Sequence, residues 1–321
     1  MRRWIIFGLL IAVAAALPLF LDARGYWIRV LTLTLLFAAM GQAWNIVGGL
    51  ANQISLGHAA FFGIGAYTST LLLINFGLSP WIGLFAGAAL ASVAALVIAL
   101  PTMRLQGHYF TLATLAFGEV MRVIANVWSS LTGGPVGISV PFMAPDPLMY
   151  SFRTTVPHAY IALLALLLVT AVFVWIDRGA MGYRLRAIKG NEAAAEVIGV
   201  NTMRVKLSAA VISGALMGAL GTLYVQLALF FDPDTAFGLV PISVRVALIA
   251  IIGGVGTALG PLIGAAFIIP LEEFANDLLS SGAAGLSQIA YALVLIAVIL
   301  WRPRGLVTLF DAVSSKVRKK P

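Results

Sequence analysis

The chain has 321 residues, of which 61% are hydrophobic and only 10% charged, and it contains no cysteine. A mean hydropathy of +1.02 exceeds what a soluble core needs, so lipid is the expected solvent for most of the surface. The missing cysteines exclude disulfides, thiolate metal sites and cysteine chemistry. The net charge of +8 points to membrane orientation rather than to nucleic acid.

Apolar runs follow one another without a soluble block, which predicts a single all-α, polytopic transmembrane domain over 1–321. The candidate spans are 4–21, 28–47, 58–76, 81–100, 108–128, 158–176, 207–230, 240–253, 256–275 and 286–301. Most approach the roughly 20 residues that cross a hydrocarbon core as a helix, and barrel-type alternation is absent. The first segment, MRRWIIFGLLIAVAAALPLF, has the layout of a signal peptide. It reads as an uncleaved span, because its removal would leave an odd helix count and place the basic C-terminal tail outside. The stretch 48–57, GGLANQISLG, reads as a broken or re-entrant piece, and 240–253 is short for a span.

About ten spans put both termini on one side. With the N-terminus inside, that side receives 15 of the 20 basic residues: Arg2, Arg3, Arg104, six in 178–206 and six in the tail 302–321. The other side receives mostly acids, namely Asp22, Asp146, Asp232, Asp234 and Asp277. Charge sorting of this kind predicts an N-in, C-in protein.

Enzyme signatures are missing. The chain has no HExxH, no GxSxG and no phosphate-binding GxxxxGK followed by Ser or Thr, so it is expected to hold no catalytic residue and no metal. His58, His108 and His158 open apolar runs without ligand spacing. His58, in ISLGHAAFFGIGAY, reads either as an interfacial histidine or as a residue lining a pathway. Glu119 and Arg122 lie three apart on one helix face. They form either a polar patch beside a translocation path or a structural ion pair, since intramembrane charges face protein or water. Arg245 is a lone base several residues into a span, with a carboxylate substrate, Glu272 or Glu273 as candidate partners.

Glycines cluster at 48–50, 63–67, 132–138, 213–221 and 252–266. Gly214 and Gly218 form a GxxxG pair that permits close helix approach. The breaks at 48–57 and 252–261 share a layout: Gly48-Gly49, Gly57 and Gly65-Ala66 against Gly253-Gly254, Gly260 and Gly264-Ala265. That layout reads as an internal repeat around a central site or as plain helix packing.

The one long polar interruption is RGAMGYRLRAIKGNEAAAEVIGVNTMRVK, residues 178–206. Asn191 can cap a helix by accepting a backbone N–H bond, and Glu192 and Glu196 suit its positive N-terminal half. Gly199 supplies the left-handed residue that ends it. The result is about two turns, Glu192 to Ile198, with Ala194, Val197 and Ile198 as an apolar patch. A helix this short needs a surface to pack on, and a partner protein is the expected surface. The alternative is a basic loop resting on anionic headgroups.

The stretch GYRLRAIKGNEAAAEVIGVNTMRVKLSAAVISGALMGALGTLY resembles the signature region of LivM-type permease subunits of branched-chain amino acid ABC transporters. SLGHAAFFGIGAYTSTLL, LQGHYFTLATLAFGEVMRVI, LTGGPVGI, IAIIGGVGTALGPLIGA and the closing WRPRGL agree, in order along nearly the whole chain. The resemblance implies a multi-pass permease in the bacterial inner membrane, paired with a LivH-type permease. It further implies two cytoplasmic ATPase subunits and a periplasmic or extracellular amino-acid-binding protein, with ATP and magnesium on the ATPases and no cofactor on this chain.

Carried onto this sequence, Asn191, Glu192, Ala194, Gly199 and Val200 belong to the helix that couples to an ATPase. The broader importer signature has Glu-Ala-Ala, three residues and glycine. Here the glycine comes one residue later counted from Glu192, and the spacing fits only with Ala193-Ala194-Ala195 as the triplet. The implied cargo is leucine, isoleucine or valine. Such a zwitterion needs partners for both charges and an apolar wall, and the breaks at 48–57 and 131–138 are the places to look for them. His58, Phe61, Phe62 and Tyr67 accompany the first break, and Gly133 and Gly134 lie in the second. Urea and short-amide permeases share much of the pattern. An ion-coupled secondary transporter working through Glu119 is the other alternative, and an intramembrane enzyme is disfavoured.

Overall fold

A computed structural model describes residues 2–105, 107–141 and 143–279, with 292, 293, 296, 297, 300 and 305–308. The tail beyond 308 and most of the expected span 286–301 therefore lie outside the described residues. The first half contains α1 (Arg2–Phe20), α2 (Tyr26–Asn45), α3 (His58–Phe76), α4 (Pro80–Thr102) and α5 (His108–Val127). The turn α6 (Ser129–Thr132), the short strand β1 (Ile138–Ser139) and α7 (Val156–Arg178) follow. Then come α8 (Ala180–Gly190), α9 (Glu192–Val197), α10 (Thr202–Ala228), β2 (Phe230–Phe231), α11 (Pro233–Ala236), α12 (Arg245–Gly253) and α13 (Gly260–Leu279). Seven helical stretches among the described residues are long and apolar enough to cross a membrane, and α1 adds a shorter apolar helix over Ile5–Phe20.

Three expectations are corrected. The span expected from 207 begins at Thr202, because Asn201 Oδ1 accepts the Arg204 N–H at 3.0 Å and starts the helix in polar sequence. The short segment 240–253 is extended by α11 and a π-helical turn, Leu239–Val244, into an apolar stretch Pro233–Gly253 that bends at Phe237 and Gly238. The break after α2 opens with a π-helical turn, Ile46–Leu50, and only then leaves helical geometry until His58.

Hydrogen bonds between distant segments define two ends of the bundle. Thr155 N–H donates to Ala23 O and Val140 N–H to Leu229 O, and β1 pairs antiparallel with β2 in the same layer. At the other end Lys189 reaches Gly49 O, Lys206 reaches Met103 O and Leu306 N–H reaches Ile252 O. This second end carries the 178–206 segment and is called the basic end below. The first is the acidic end, with Asp22, Asp146, Asp232 and Asp234.

The centre is a triad of α3, α4 and α10. A side chain at Gly65 would overlap the Gly218 carbonyl, and one at Gly218 would meet Ala91 Cβ and the Gly87 carbonyl. The expected GxxxG helix therefore touches two neighbours through bare backbone, the close approach that small residues permit in lipid. A leucine at Gly218 is expected to force these helices apart at a cost above about 2 kcal/mol. Alanine at Gly190 is the control: a Cβ there meets nothing within 4 Å, and it should be neutral or mildly stabilising. Thermal melts of the two detergent-solubilised variants, followed by size-exclusion chromatography, separate these outcomes.

Candidate functional site

The polar segment at the basic end folds as two short helices, α8 and α9. Sequence reading did not single out α8, whose apolar positions are few and whose buried residues are Gly182, Leu185 and Ile188. The α9 cap forms as expected, with Asn191 Oδ1 accepting the Ala194 N–H at 3.0 Å. At its other end Gly199, at φ +88°, closes the helix. Gly199 N–H donates to Glu196 O at 2.9 Å and Val200 N–H to Ala195 O at 3.0 Å, the paired bonds of a Schellman stop. Ala195 is buried and Val200 packs in the same cluster, so the stop is also anchored hydrophobically.

Both α9 carboxylates are bonded back to the chain, although Glu196 itself stays exposed. Glu192 accepts from Lys206 Nζ at 2.6 Å, and the same ammonium donates to Met103 O at 2.8 Å. Glu196 accepts the Thr202 hydroxyl at 2.6 Å. Lys206, with its side chain 1% exposed, thus joins α9, α10 and the end of α4. Beside Glu196, what stands outward on α9 and just after it is apolar: Ala193 and Ala194 are exposed, with Val197 at 87% and Ile198 at 76%. Sequence reading anticipated this patch and missed the lysine beneath it, which looked like one more base of a charged loop.

The two helix interruptions meet at this end. Asn45 Oδ1 accepts the Gly256 N–H at 2.7 Å, and Asn45 Nδ2 donates to Thr257 O at 3.0 Å. A side chain at Gly49 would overlap the Gly256 nitrogen. Lys189 of α8 donates to Gly49 O at 2.9 Å, so the 178–206 segment is strapped to the first break and, through Asn45, to the second. Further along the first break, Trp44 Nε1 donates to Ser55 O at 2.8 Å and Thr111 to Ile54 O at 2.8 Å. An asparagine next to a glycine pair in an apolar run, AWNIVGG, was the available signal for Asn45.

His58 is 1% exposed, which corrects its interfacial reading. Its Nε2 lies 2.9 Å from Ser213 Oγ and its Nδ1 3.1 Å from Ser55 Oγ. Ser213 spends its own hydrogen on Ala43 O at 2.7 Å. Nε2 therefore carries the proton given to Ser213, and Nδ1 accepts from Ser55. Phe61 and Phe62 are buried beside it in α3. Tyr67, three turns on, stacks on Phe237 at 5.6 Å and meets Phe231 edge-on at 4.8 Å. It lines an open cavity of about 420 Å³ with Met121, Trp128, Thr132 and Phe237. Gly133 and Gly134 sit in the acidic-end turn that follows α6. The candidate pathway residues are thus spread along α3 and over the acidic end, with His58 and Phe61 together and the glycines apart from them.

The intramembrane charges are paired. Arg122 bonds both Glu119 and Asp234, while Asn126 Nδ2 donates to Asp234 at 3.2 Å. Glu119 and Arg122, 45% and 32% exposed, lie on α5, the least buried of the candidate spans, and Asp234, 59% exposed, faces them from α11. Arg245 pairs with Glu272 and lies 4.9 Å from the Phe37 ring centroid. Glu273 accepts from the Tyr26 hydroxyl at 2.7 Å.

An all-helical membrane bundle with interrupted spans, and a capped helix whose apolar tip stands clear of it, is the form of a permease rather than of an enzyme. The family described as the branched-chain amino acid transport system / permease component matches residues 26–300. The chain is 30% identical, over 92% of its length and 73% of the relative's, to the high-affinity branched-chain amino acid transport permease LivM of Escherichia coli. It is 24% identical, over 86% of its length and 92% of the relative's, to LivH of Salmonella typhimurium. A solved transporter assigned to the metal-chelate ABC type, in an inward-facing conformation, shares the fold. It aligns at a TM-score of 0.51 over 94% of this chain and 99% of that one, at 16% identity. The chain belongs to the branched-chain amino acid transport permease family and is a multi-pass membrane permease component.

Replacing Lys206 by Met removes the one cation facing Glu192 and strands the Met103 carbonyl. The expected cost is about 2–3 kcal/mol. Hydrogen exchange at the amides of 192–200 should accelerate correspondingly, and Glu192→Gln in the same chain should recover part of the loss. Unchanged protection in Lys206→Met would show that the ammonium does not hold α9.

Proposed function

We propose that this chain is the permease subunit through which an ATP-driven importer takes branched-chain amino acids across a bacterial inner membrane. The observation that carries this reading is α9: a helix rigidly tied from below by Lys206 and Thr202, with Val197 and Ile198 left exposed. An isolated helix of this length does not hold itself. Fastened to the bundle, it becomes a rigid apolar knob that fits a cleft in a cytoplasmic ATPase subunit. The basic end then faces the cytoplasm, in accord with the sorting of lysine and arginine.

Two cytoplasmic ATPases bind and hydrolyse ATP, a LivH-type permease lies beside this chain, and a periplasmic binding protein delivers the solute. When the ATPases close, displacement of α9 passes through Lys206 to the α4–α10 core and through Lys189 to the helix breaks joined by Asn45. The exposed polar face of α5, with Glu119 and Arg122 and with Asp234 of α11 against it, is the face turned toward water or the second permease, because such charges are costly against lipid. Glu119 is engaged by Arg122, which weighs against its use as the proton carrier of an ion-coupled transporter.

Uptake of leucine into vesicles holding the complete transporter should require ATP on the ATPase side and survive collapse of the ion gradients. Uptake that follows the gradient instead would refute this reading. Gly199→Pro conflicts with the left-handed backbone at φ +88° and removes the bond to Glu196 O. It and Ala194→Glu should leave the protein inserted and ATP hydrolysis running while transport falls about tenfold or more. Normal transport in both variants would show that 191–199 is not the coupling element.

A further inference from the structure

At the acidic end, away from the coupling machinery, the chain encloses a cavity of about 230 Å³ between the ends of α3, α7 and α10 and the loop 140–155. Its walls are built, not incidental. Val140 N–H is bonded to Leu229 O at 2.8 Å, Thr155 N–H to Ala23 O at 3.0 Å, and the Ser151 hydroxyl to Met143 O at 3.0 Å. Trp81, Tyr150, Phe152 and His158 stack edge-on or tilted behind one wall, with successive ring centroids between 5.0 and 5.5 Å apart.

Three features mark the cavity as a place for a ligand. First, one polar atom of its lining is buried without a hydrogen-bond partner: Gln226 Nε2, on a residue only 5% exposed. A buried amide hydrogen left unbonded is costly and uncommon. Second, Arg24 and Arg153 line it, and among the described residues neither guanidinium has a carboxylate partner. No aspartate or glutamate lines it, and the nearby Asp22 and Asp146 accept the backbone N–H groups of Arg24 and Leu148. Third, the described chain has three non-glycine residues with left-handed backbone, and two of them, Tyr150 at φ +55° and Leu229 at φ +62°, line this cavity. Strain of this kind persists where surroundings hold it and clusters at binding sites. The remaining wall is aliphatic, with Leu73, Val140 and Leu227.

We propose that this cavity binds the carboxylate of a small aliphatic acid, and that the transported amino acid itself occupies it on entry. Arg24 and Arg153 supply the counter-charge, Gln226 Nε2 donates to the carboxylate, and the branched side chain lies along Leu73, Val140 and Leu227. The identity of the ligand rests on the transport function proposed above. The chemistry of the site, an anion with a short aliphatic body, does not.

The test uses the complete transporter in nanodiscs, without binding protein and without ATP. Saturation-transfer NMR is recorded with L-leucine, with 4-methylpentanoate, which lacks the amine, and with 3-methylbutylamine, which lacks the carboxylate. Leucine and 4-methylpentanoate should bind and the amine should not. Arg153→Gln, at an exposed position, should weaken both acids about tenfold or more, the loss of one charge-assisted bond. Gln226→Leu should do the same in a variant that keeps the wild-type melting temperature.

Binding of the amine as tightly as the acids, or of the acids unchanged in both variants, overturns the proposal. A second titration, with the binding protein added to the same nanodiscs, also overturns it if the variants lose affinity for that protein alone, which would make these residues a docking contact. If neither acid binds in nanodiscs while the same protein, reconstituted in vesicles with ATP and binding protein, takes up leucine, the site falls and the transport function stands. If the acids bind but leucine is not taken up, the site stands and the transport function falls.

Discussion

Lipid offers no hydrogen bonds, so a helix that breaks inside a membrane protein must find partners for every backbone group it frees. This chain breaks two of its helices, after α2 and after α12, and brings the breaks together so that one side chain serves both. Asn45, at the last turn of α2, receives one amide hydrogen from the second break and gives one of its own to a carbonyl there. Trp44, Thr111 and Lys189 close most of what remains at the first. The bare backbone of Gly49 and of Gly256, at φ +76°, is what lets the two interruptions touch. Once they do, the positions of α3 and α13 follow.

The same economy governs the basic end. A charged loop in a membrane protein ordinarily keeps its charges in water. Here two of them are turned inward, Glu192 and Lys206, which satisfy each other and a helix-terminal carbonyl, while the exposed Lys189 bonds a carbonyl of a break. The outward surface is therefore less charged than the sequence suggests. A segment of 29 residues with six bases and two glutamates presents valine, isoleucine and alanine at its tip. The exposed tip is apolar, while the charges beneath it set its position.

How far these features were legible in the sequence depends on their range. The Asn191 cap and the Gly199 stop are local, spanning three or four residues, and both appear where the residues suggested. The long spans were equally readable, because hydropathy reports the solvent directly. Helix α8 and the first turn of α10 were not, since their polar residues belong to helices outside the apolar runs. The pairing of Glu192 with Lys206, of Asn45 with Gly256 and Thr257, and of Arg245 with Glu272 joins residues 14 to 212 positions apart. Only for Arg245 did the charges alone suggest a partner. His58 shows the limit from the other side: its place at the start of a helix suggested an interface, but that helix starts inside the protein, below a break.

The arrangement around α9 also bears on how such a subunit changes over generations. Every polar group that shapes this helix is spent inside the chain, and the residues at its tip support nothing beneath them. Substitutions at Val197 and Ile198 therefore alter which surface the knob fits and leave the folding of the permease untouched. On the coupling role proposed above, a lineage can fit the knob to a diverged partner by drifting at two positions, whereas Glu192 and Lys206 can change only as a pair.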